Sequence, residues 1–271
     1  LKSRILTVIP ARYASSRFPG KPLVKIAGKE MLLRVWENAK KATKDIPNSQ
    51  IIVASEDERI AAFCNDYKIE CVMTSDKCKS GSDRVCEVLD SLPYRPDFII
   101  NLQGDNPMCP PWIIRALIDT FLQNPSVSVV TPVVQMSWQE LDNMRQTKKE
   151  TPFSGTCAIP DKDMNAVWFS KNIIPAIRSE AELRQASELS PVLRHIGLYA
   201  YSFNALKSFA KLSESFYERL EGLEQLRFLE NRIPVKLVKV DYKGYDSMSG
   251  IDSPSDVAKA EYLLAKYGEF E

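Results

Sequence analysis

The sequence predicts an α/β fold with a mostly parallel sheet and an inserted β-rich lobe. Three observations point there. Apolar, β-branched runs alternate with amphipathic stretches from the first residues to about residue 135. Between about 135 and 210 that rhythm gives way to strand-like segments. The 271 residues are 44% hydrophobic and 26% charged, which fits one large core. A single domain spanning 1–271, with the lobe at about 135–210, is the predicted organisation.

The elements follow in order. Strands are predicted at 5–11, 50–55, 70–74, 97–102 and 127–134, where β-branched residues cluster. Helices are predicted between them. Residues 29–43 place Met31, Val35, Trp36 and Ala39 at helical spacing. The segments 57–67 and 82–92 open on cap-type residues, and 111–124 opens on Pro. Beyond 135, a helix is expected at 137–146 and strands at 154–160 and 166–170, as a hairpin. The polar stretch 178–190 reads as a mobile loop or a short helix. A strand at 193–203, a long helix at 216–231, a strand at 235–242 and a Ser253-capped helix at 253–267 complete the chain.

Composition excludes several classes. Lys plus Arg is 36 and Asp plus Glu is 35, a net charge of +1. Such a balance offers no general field for nucleic acid or anionic membranes. No apolar run reaches the roughly 18–20 residues of a membrane span. The apolar run near the start is too short for a signal-peptide core. The six cysteines form no CxxC pair and there is one histidine, so zinc is not expected. Idle thiols in a reducing cytoplasm are the expectation.

Four segments carry candidate chemistry. Residues 10–22 set Arg12, Arg17 and Lys21 among small residues and the hydroxyls of Ser15 and Ser16, between a strand and a helix. A triphosphate needs such a loop, because small residues admit backbone N–H groups and fixed cations offset charge. The spacing is neither a Walker loop nor GxGxxG. An apolar strand then ends in Gln103-Gly104-Asp105, where a carboxylate suits Mg²⁺ carrying phosphate oxygens. Asp252 stands just before a helix and can act as a second ligand. His195 lies in a strand-like run, and Glu224-Gln225 in an amphipathic helix. Each also has an ordinary reading: a solvated loop, a Gly-Asp turn, a helix cap, a satisfied core histidine, a solvated helix face.

Together these segments resemble the CMP-Kdo synthetases, the 3-deoxy-manno-octulosonate cytidylyltransferases, over nearly the whole chain. The resemblance rests on residues 9–23, on Ser80-Gly81-Ser82-Asp83-Arg84, on Gln103-Gly104-Asp105, on Arg194-His195-Ile196-Gly197, on residues 223–227 and on residues 250–254. It implies a Rossmann-like nucleotidyltransferase fold with a dimerising lobe that also receives the acceptor. It implies CTP as donor, a 2-keto-3-deoxy sugar acid as acceptor, Mg²⁺ as cofactor, and a cytoplasmic homodimer serving lipopolysaccharide or capsule synthesis. Asp105 and Asp252 would hold Mg²⁺. Arg12 and Lys21, with Ala11 and Ser15, would neutralise the phosphates, and Arg17 is a further candidate. Ser80 and Arg84 would lie near cytosine or ribose. Gln103 would bridge nucleotide and sugar. His195, Glu224 and Gln225 would meet sugar hydroxyls, with Lys171 or Arg194 at the carboxylate.

The sequence departs from the family pattern at Asn106, where glutamate is usual, at Lys171, where arginine is usual, and at Thr156, where lysine is usual. These departures leave open an 8-amino Kdo, a nonulosonic acid or a phosphonate acid as acceptor. A non-catalytic sugar-nucleotide-binding protein of the same fold is the reading from another class.

Overall fold

A computed structural model describes residues 3–14, 18–78, 80–248 and 250–270. The chain begins with β1 (Ile5–Pro10), buried along its whole length. A 3-10 turn at Lys21–Leu23 leads into a small hairpin, β2 (Lys25–Ile26) and β3 (Lys29–Glu30), which the sequence did not foreshadow. Then α1 (Met31–Thr43), β4 (Ser49–Ser55), α2 (Glu58–Asp66) and β5 (Cys71–Met73) alternate. They are followed by α3 (Gly81–Ser91), β6 (Phe98–Asn101) and α4 (Pro111–Gln123).

The second half opens with β7 (Val129–Ser137) and α5 (Trp138–Glu150). The expected hairpin forms from β8 (Cys157–Pro160) and β9 (Ala166–Ser170). The polar stretch becomes a short helix, α6 (Glu180–Ala186). Arg145 donates to Glu180 at 2.8 and 2.7 Å and Arg184 donates to Asp142 at 2.7 Å, which ties α6 to α5.

Two expected elements are corrected. The predicted strand 193–203 is β10 (Leu189–His195) and β11 (Tyr199–Ser202), followed by α7 (Phe203–Phe209). β10 and β11 both run antiparallel to β7, opposite β12, and the break lies at residues 196–198. The predicted helix 216–231 is interrupted after α8 (Phe216–Glu221) by Gly222 at φ 63°, and resumes as α9 (Leu226–Glu230). A left-handed residue ends a helix because its carbonyls can no longer be met from the next turn. The chain closes with β12 (Val235–Val240) and α10 (Pro254–Tyr267), whose Ser253–Asp256 capping box matches expectation.

All strands but β2 and β3, which pair only with each other, join one ten-stranded sheet. β5, β4, β1 and β6 are parallel. β11 then joins β6 to β7 in antiparallel fashion, and β12 returns parallel to β7. At the β10/β11 break the sheet forks, and β10, β8 and β9 form a branch. One face packs against α1, α2 and α4, through residues such as Val35, Ile60 and Leu117. The other packs against α3, α7 and α9, through Val85, Leu206 and Phe228. A third, smaller cluster sits around α10.

Candidate active site

β1 and β6 are parallel neighbours, so the loops leaving them open on one edge of the sheet. Gly104 holds them together. Its N–H donates to the Pro10 carbonyl at 3.2 Å, and a Cβ there would stand 2.7 Å from that oxygen. Only glycine permits so close an approach. Asp105 is thereby fixed beside the end of β1. The segment before α10 docks on the same loop: the Ile251 N–H donates to the Asp105 carbonyl at 2.8 Å, and Ile251 is fully buried. This contact brings Asp252 to Asp105.

Lys21 lies between them. Gly20 turns the chain at φ 71° into the 3-10 turn. The Lys21 ammonium then donates to Asp105 Oδ2 at 2.9 Å and to Asp252 Oδ1 at 3.2 Å. Burial by itself would lower the Lys21 pKa. The charge of Asp105, with hydrogen bonds to both carboxylates, outweighs it, and the net shift is upward.

Beside this triad is a cavity of about 390 Å³. Ala11 and Arg12 line it from the first loop, Gln103 from the loop after β6, and Arg84 from α3. Ser80 caps α3: its hydroxyl accepts from the Asp83 N–H at 3.1 Å, and the Asp83 carboxylate accepts from the Ser80 N–H at 3.0 Å. The Ser80 side chain is thus committed to the helix start, while Gly81 behind it lines the cavity. A helix N-terminus favours anions. Arg84 is 1% exposed, pairs with Glu56 at 2.7 Å and bonds Thr74, and its Nε has no partner. Ser15 and Arg17 lie outside the described residues.

A polar chain leads from this cavity into the second half of the protein. Gln103 Nε2 donates to Asn101 Oδ1 at 2.8 Å. The Tyr201 hydroxyl bonds Asn101 and Ser82. Ser82 donates to Glu224 Oε1 at 2.6 Å. Burial raises the Glu224 pKa. Gln225, just before α9, is 3% exposed and its Nε2 has no partner.

His195, Arg194 and Lys171 gather where the sheet forks. His195 Nε2 lies 2.7 Å from Thr131 Oγ1, whose hydroxyl donates to the Leu198 carbonyl at 2.8 Å. A hydroxyl has one proton, so the imidazole donates from Nε2. Burial, with the nearby charges of Lys171 and Arg194, pushes the histidine down to about 3. It is therefore neutral at physiological pH. Arg194 Nη2 and Asn106 Oδ1 are buried without partners. Burial lowers the Lys171 pKa. Thr156 is buried, and its carbonyl accepts from the His195 N–H at 2.8 Å.

The structure thus brings Arg12, Lys21, Arg84, Gln103, Asp105 and Asp252 to one cavity, and Lys171, Arg194 and His195 to a second cluster. Glu224 joins the two halves through Ser82. Glu56, Thr74, Asn101, Ser82 and Tyr201 were not foreseen. Ser82 lies inside a quoted motif, but the others are common residue types whose roles depend on contacts between distant segments.

Asp105 and Asp252 offer hard oxygen donors that already share one cation, the Lys21 ammonium. That donor set fits Mg²⁺, which is commonly held by one or two carboxylates together with substrate phosphates. Among the described residues no group of three or more His, Cys, Asp or Glu side chains gathers.

These features define a class: an α/β protein of the nucleotidyltransferase type, with an anion-receptive cavity at the carboxyl edge of its parallel strands. A family model described as Cytidylyltransferase matches residues 6–237. A relative from Maricaulis maris, named 3-deoxy-manno-octulosonate cytidylyltransferase, is 39% identical over 98% of each chain. A mitochondrial enzyme of that name from Arabidopsis thaliana is 35% identical over 97% of this chain and 84% of its own. A solved CMP:2-keto-3-deoxy-manno-octonic acid synthetase complexed with CTP superposes with a TM-score of 0.82 at 30% identity, covering 97% of this chain and 99% of the other. The chain belongs to the cytidylyltransferase family, among the 3-deoxy-manno-octulosonate cytidylyltransferases.

Proposed function

We propose that the protein transfers CMP from CTP to the anomeric hydroxyl of a 2-keto-3-deoxy sugar acid, Kdo or a close variant, with release of pyrophosphate. The observation that carries this reading is the meeting of Lys21, Asp105 and Asp252 beside a nucleotide-sized cavity. Arg12, Lys21 and the start of α3 face the triphosphate and offset its charge; Ala11 and Ser15 belong to the same loop. Arg84 lies against the nucleoside and Gln103 between nucleotide and sugar. Lys171 and Arg194 meet the acceptor's carboxylate. His195 stays neutral and, with Glu224 and Gln225, orients hydroxyls. Holding the acceptor hydroxyl in line with the α-phosphorus supplies much of the rate.

Asp105 and Asp252 would hold Mg²⁺, which when bound neutralises phosphate charge and acidifies a hydroxyl. No dedicated general base stands out among these residues. The buried orphan atoms of Arg194, Gln225 and Asn106 support an acceptor that brings several oxygens of its own.

The reading extends to a homodimer. α8 exposes Phe216 and Leu220 at 58% and 65%, beside β9, the edge strand of the branch. No helix of the described residues is long and apolar enough to cross a membrane, and all six cysteines are free, which suits a reducing compartment such as the cytoplasm. Pyrophosphate release from CTP with Mg²⁺ and a panel of acids tests the function. Release with Kdo or 8-amino Kdo supports it. Release only with a nonulosonic or phosphonate acid, or tight CTP binding with no turnover, refutes it.

A further inference from the structure

Lys21, Asp105 and Asp252 come from three distant segments, and something must hold those segments in register. One main core takes in Ala11 and Cys109, but neither main core reaches all three segments. The third cluster does. It joins Ile26 of β2, Met108 from the Asp105 loop, Met248 and Ile251 from the Asp252 segment, and Phe270. Phe18, from the loop that precedes Lys21, packs against the same cluster.

Phe270 lies just beyond α10 and is 7% exposed. Its ring stands edge-on to Trp112 at 5.4 Å and tilted to Tyr245 at 5.3 Å. Its carbonyl accepts from the Lys41 ammonium. Its neighbour Glu269 accepts from Arg34 Nη1 at 2.6 Å and from Lys29 at 3.4 Å. Arg34, 4% exposed, also donates to the Ile26 carbonyl at 3.1 and 2.6 Å. The Ala27 N–H donates to Glu261 of α10 at 2.9 Å. The hairpin that follows Lys21 is therefore pinned from three sides by α10 and the segment after it. Neither Glu269 nor Phe270 lines the cavity.

We infer that Glu269 and Phe270 are positioning residues of the nucleotide site. They clamp the hairpin behind Lys21 to the helix that follows Asp252, and so set the spacing of the three charges. The inference rests on the nucleotide reading of the cavity and is independent of which acid is the acceptor. Interfaces of this kind transmit small shifts because packed cores resist continuous deformation. Misplacement by about 1 Å at a reacting group can lower rates roughly a hundredfold.

The test is CTP binding to the full chain by calorimetry with Mg²⁺ present, without acceptor. Phe270→Ala and Glu269→Gln should each weaken CTP at least about tenfold, and Phe270→Leu should restore most of the affinity. Phe209→Leu, a substitution in the main core, should lower the unfolding midpoint without changing CTP affinity. If Phe270→Ala fails to fold, Phe270→Leu and Glu269→Gln still report: wild-type affinity in Glu269→Gln, with Phe270→Leu no weaker than Phe209→Leu, overturns the inference. So does wild-type CTP affinity in folded Phe270→Ala. A wild-type protein that binds no CTP refutes the nucleotide reading instead.

Discussion

Lys21, from the loop after β1, and Asp105, from the loop after the neighbouring β6, form a 2.9 Å ion pair in the lining of the cavity. Asp252 completes the arrangement at 3.2 Å, so one ammonium serves two carboxylates. A divalent ion placed there adds to Lys21 a second cation for the same oxygens and for a triphosphate. Asp105→Asn or Asp252→Asn should therefore lower kcat/KM for CTP by roughly 10²–10³-fold. Lys21→Met should act more on the KM for CTP than on the acceptor's KM. Steady-state kinetics with CTP and Kdo measure both, and equal losses on the two substrates would argue that Lys21 does not meet the nucleotide.

His195 predicts a pH dependence of stability. Its folded pKa is pushed down by burial to about 3 from an ordinary value of about 6.5. Below about pH 6.5 the unfolded chain takes up a proton that the folded protein refuses, so stability is full above that pH and declines as pH falls towards 3. The decline attributable to this group is about 2 kcal/mol between pH 7 and 5. His195→Gln, which keeps a donor for Thr131, should remove that component. Urea unfolding of both proteins at pH 7 and 5 checks it, and parallel declines would contradict the histidine assignment.

Gln225 makes a prediction with two signs. Its Nε2 is buried and has no partner. A buried donor left unsatisfied costs about 1–3 kcal/mol. Gln225→Leu should then leave folding unchanged or raise stability by about 1 kcal/mol. The same change should raise the KM for the acceptor about tenfold and leave that for CTP alone. Loss of stability together with an unchanged acceptor KM would show that the residue is only structural.

Gly104 tests the loop geometry. A methyl group there meets the Pro10 carbonyl at 2.7 Å. Gly104→Ala should destabilise by about 1–3 kcal/mol, the usual penalty of overpacking. Because Asp105 follows directly, CTP binding should weaken in the fraction that remains folded. Thermal unfolding and CTP titration together measure the two effects.

Much of the fold is written locally. The parallel half, from β1 to α4, matches the periodicity of its apolar residues, since each element there buries a face of its own. The errors arose where partners at a distance decide. Residues 193–203 have the composition of one strand, yet the chain breaks at 196–198, because β7 pairs β10 and β11 along one edge while the sheet forks between them. Residues 216–231 have helical periodicity, yet Gly222 adopts the left-handed conformation and places Glu224 and Gln225 between two helices, where Glu224 meets Ser82.

Local signals in the chain mark which residue types stand ready for a triphosphate and at which strand ends they lie, because strand, loop and cap signals are short-range. Tertiary structure alone decided that Asp252 meets Asp105 and that Lys21 joins them. That meeting depends on the Ile251–Asp105 backbone bond and on the cluster around Phe270. Contacts between segments so far apart in the chain leave no periodic trace in it, because side-chain spacing encodes which face an element buries and not what covers it.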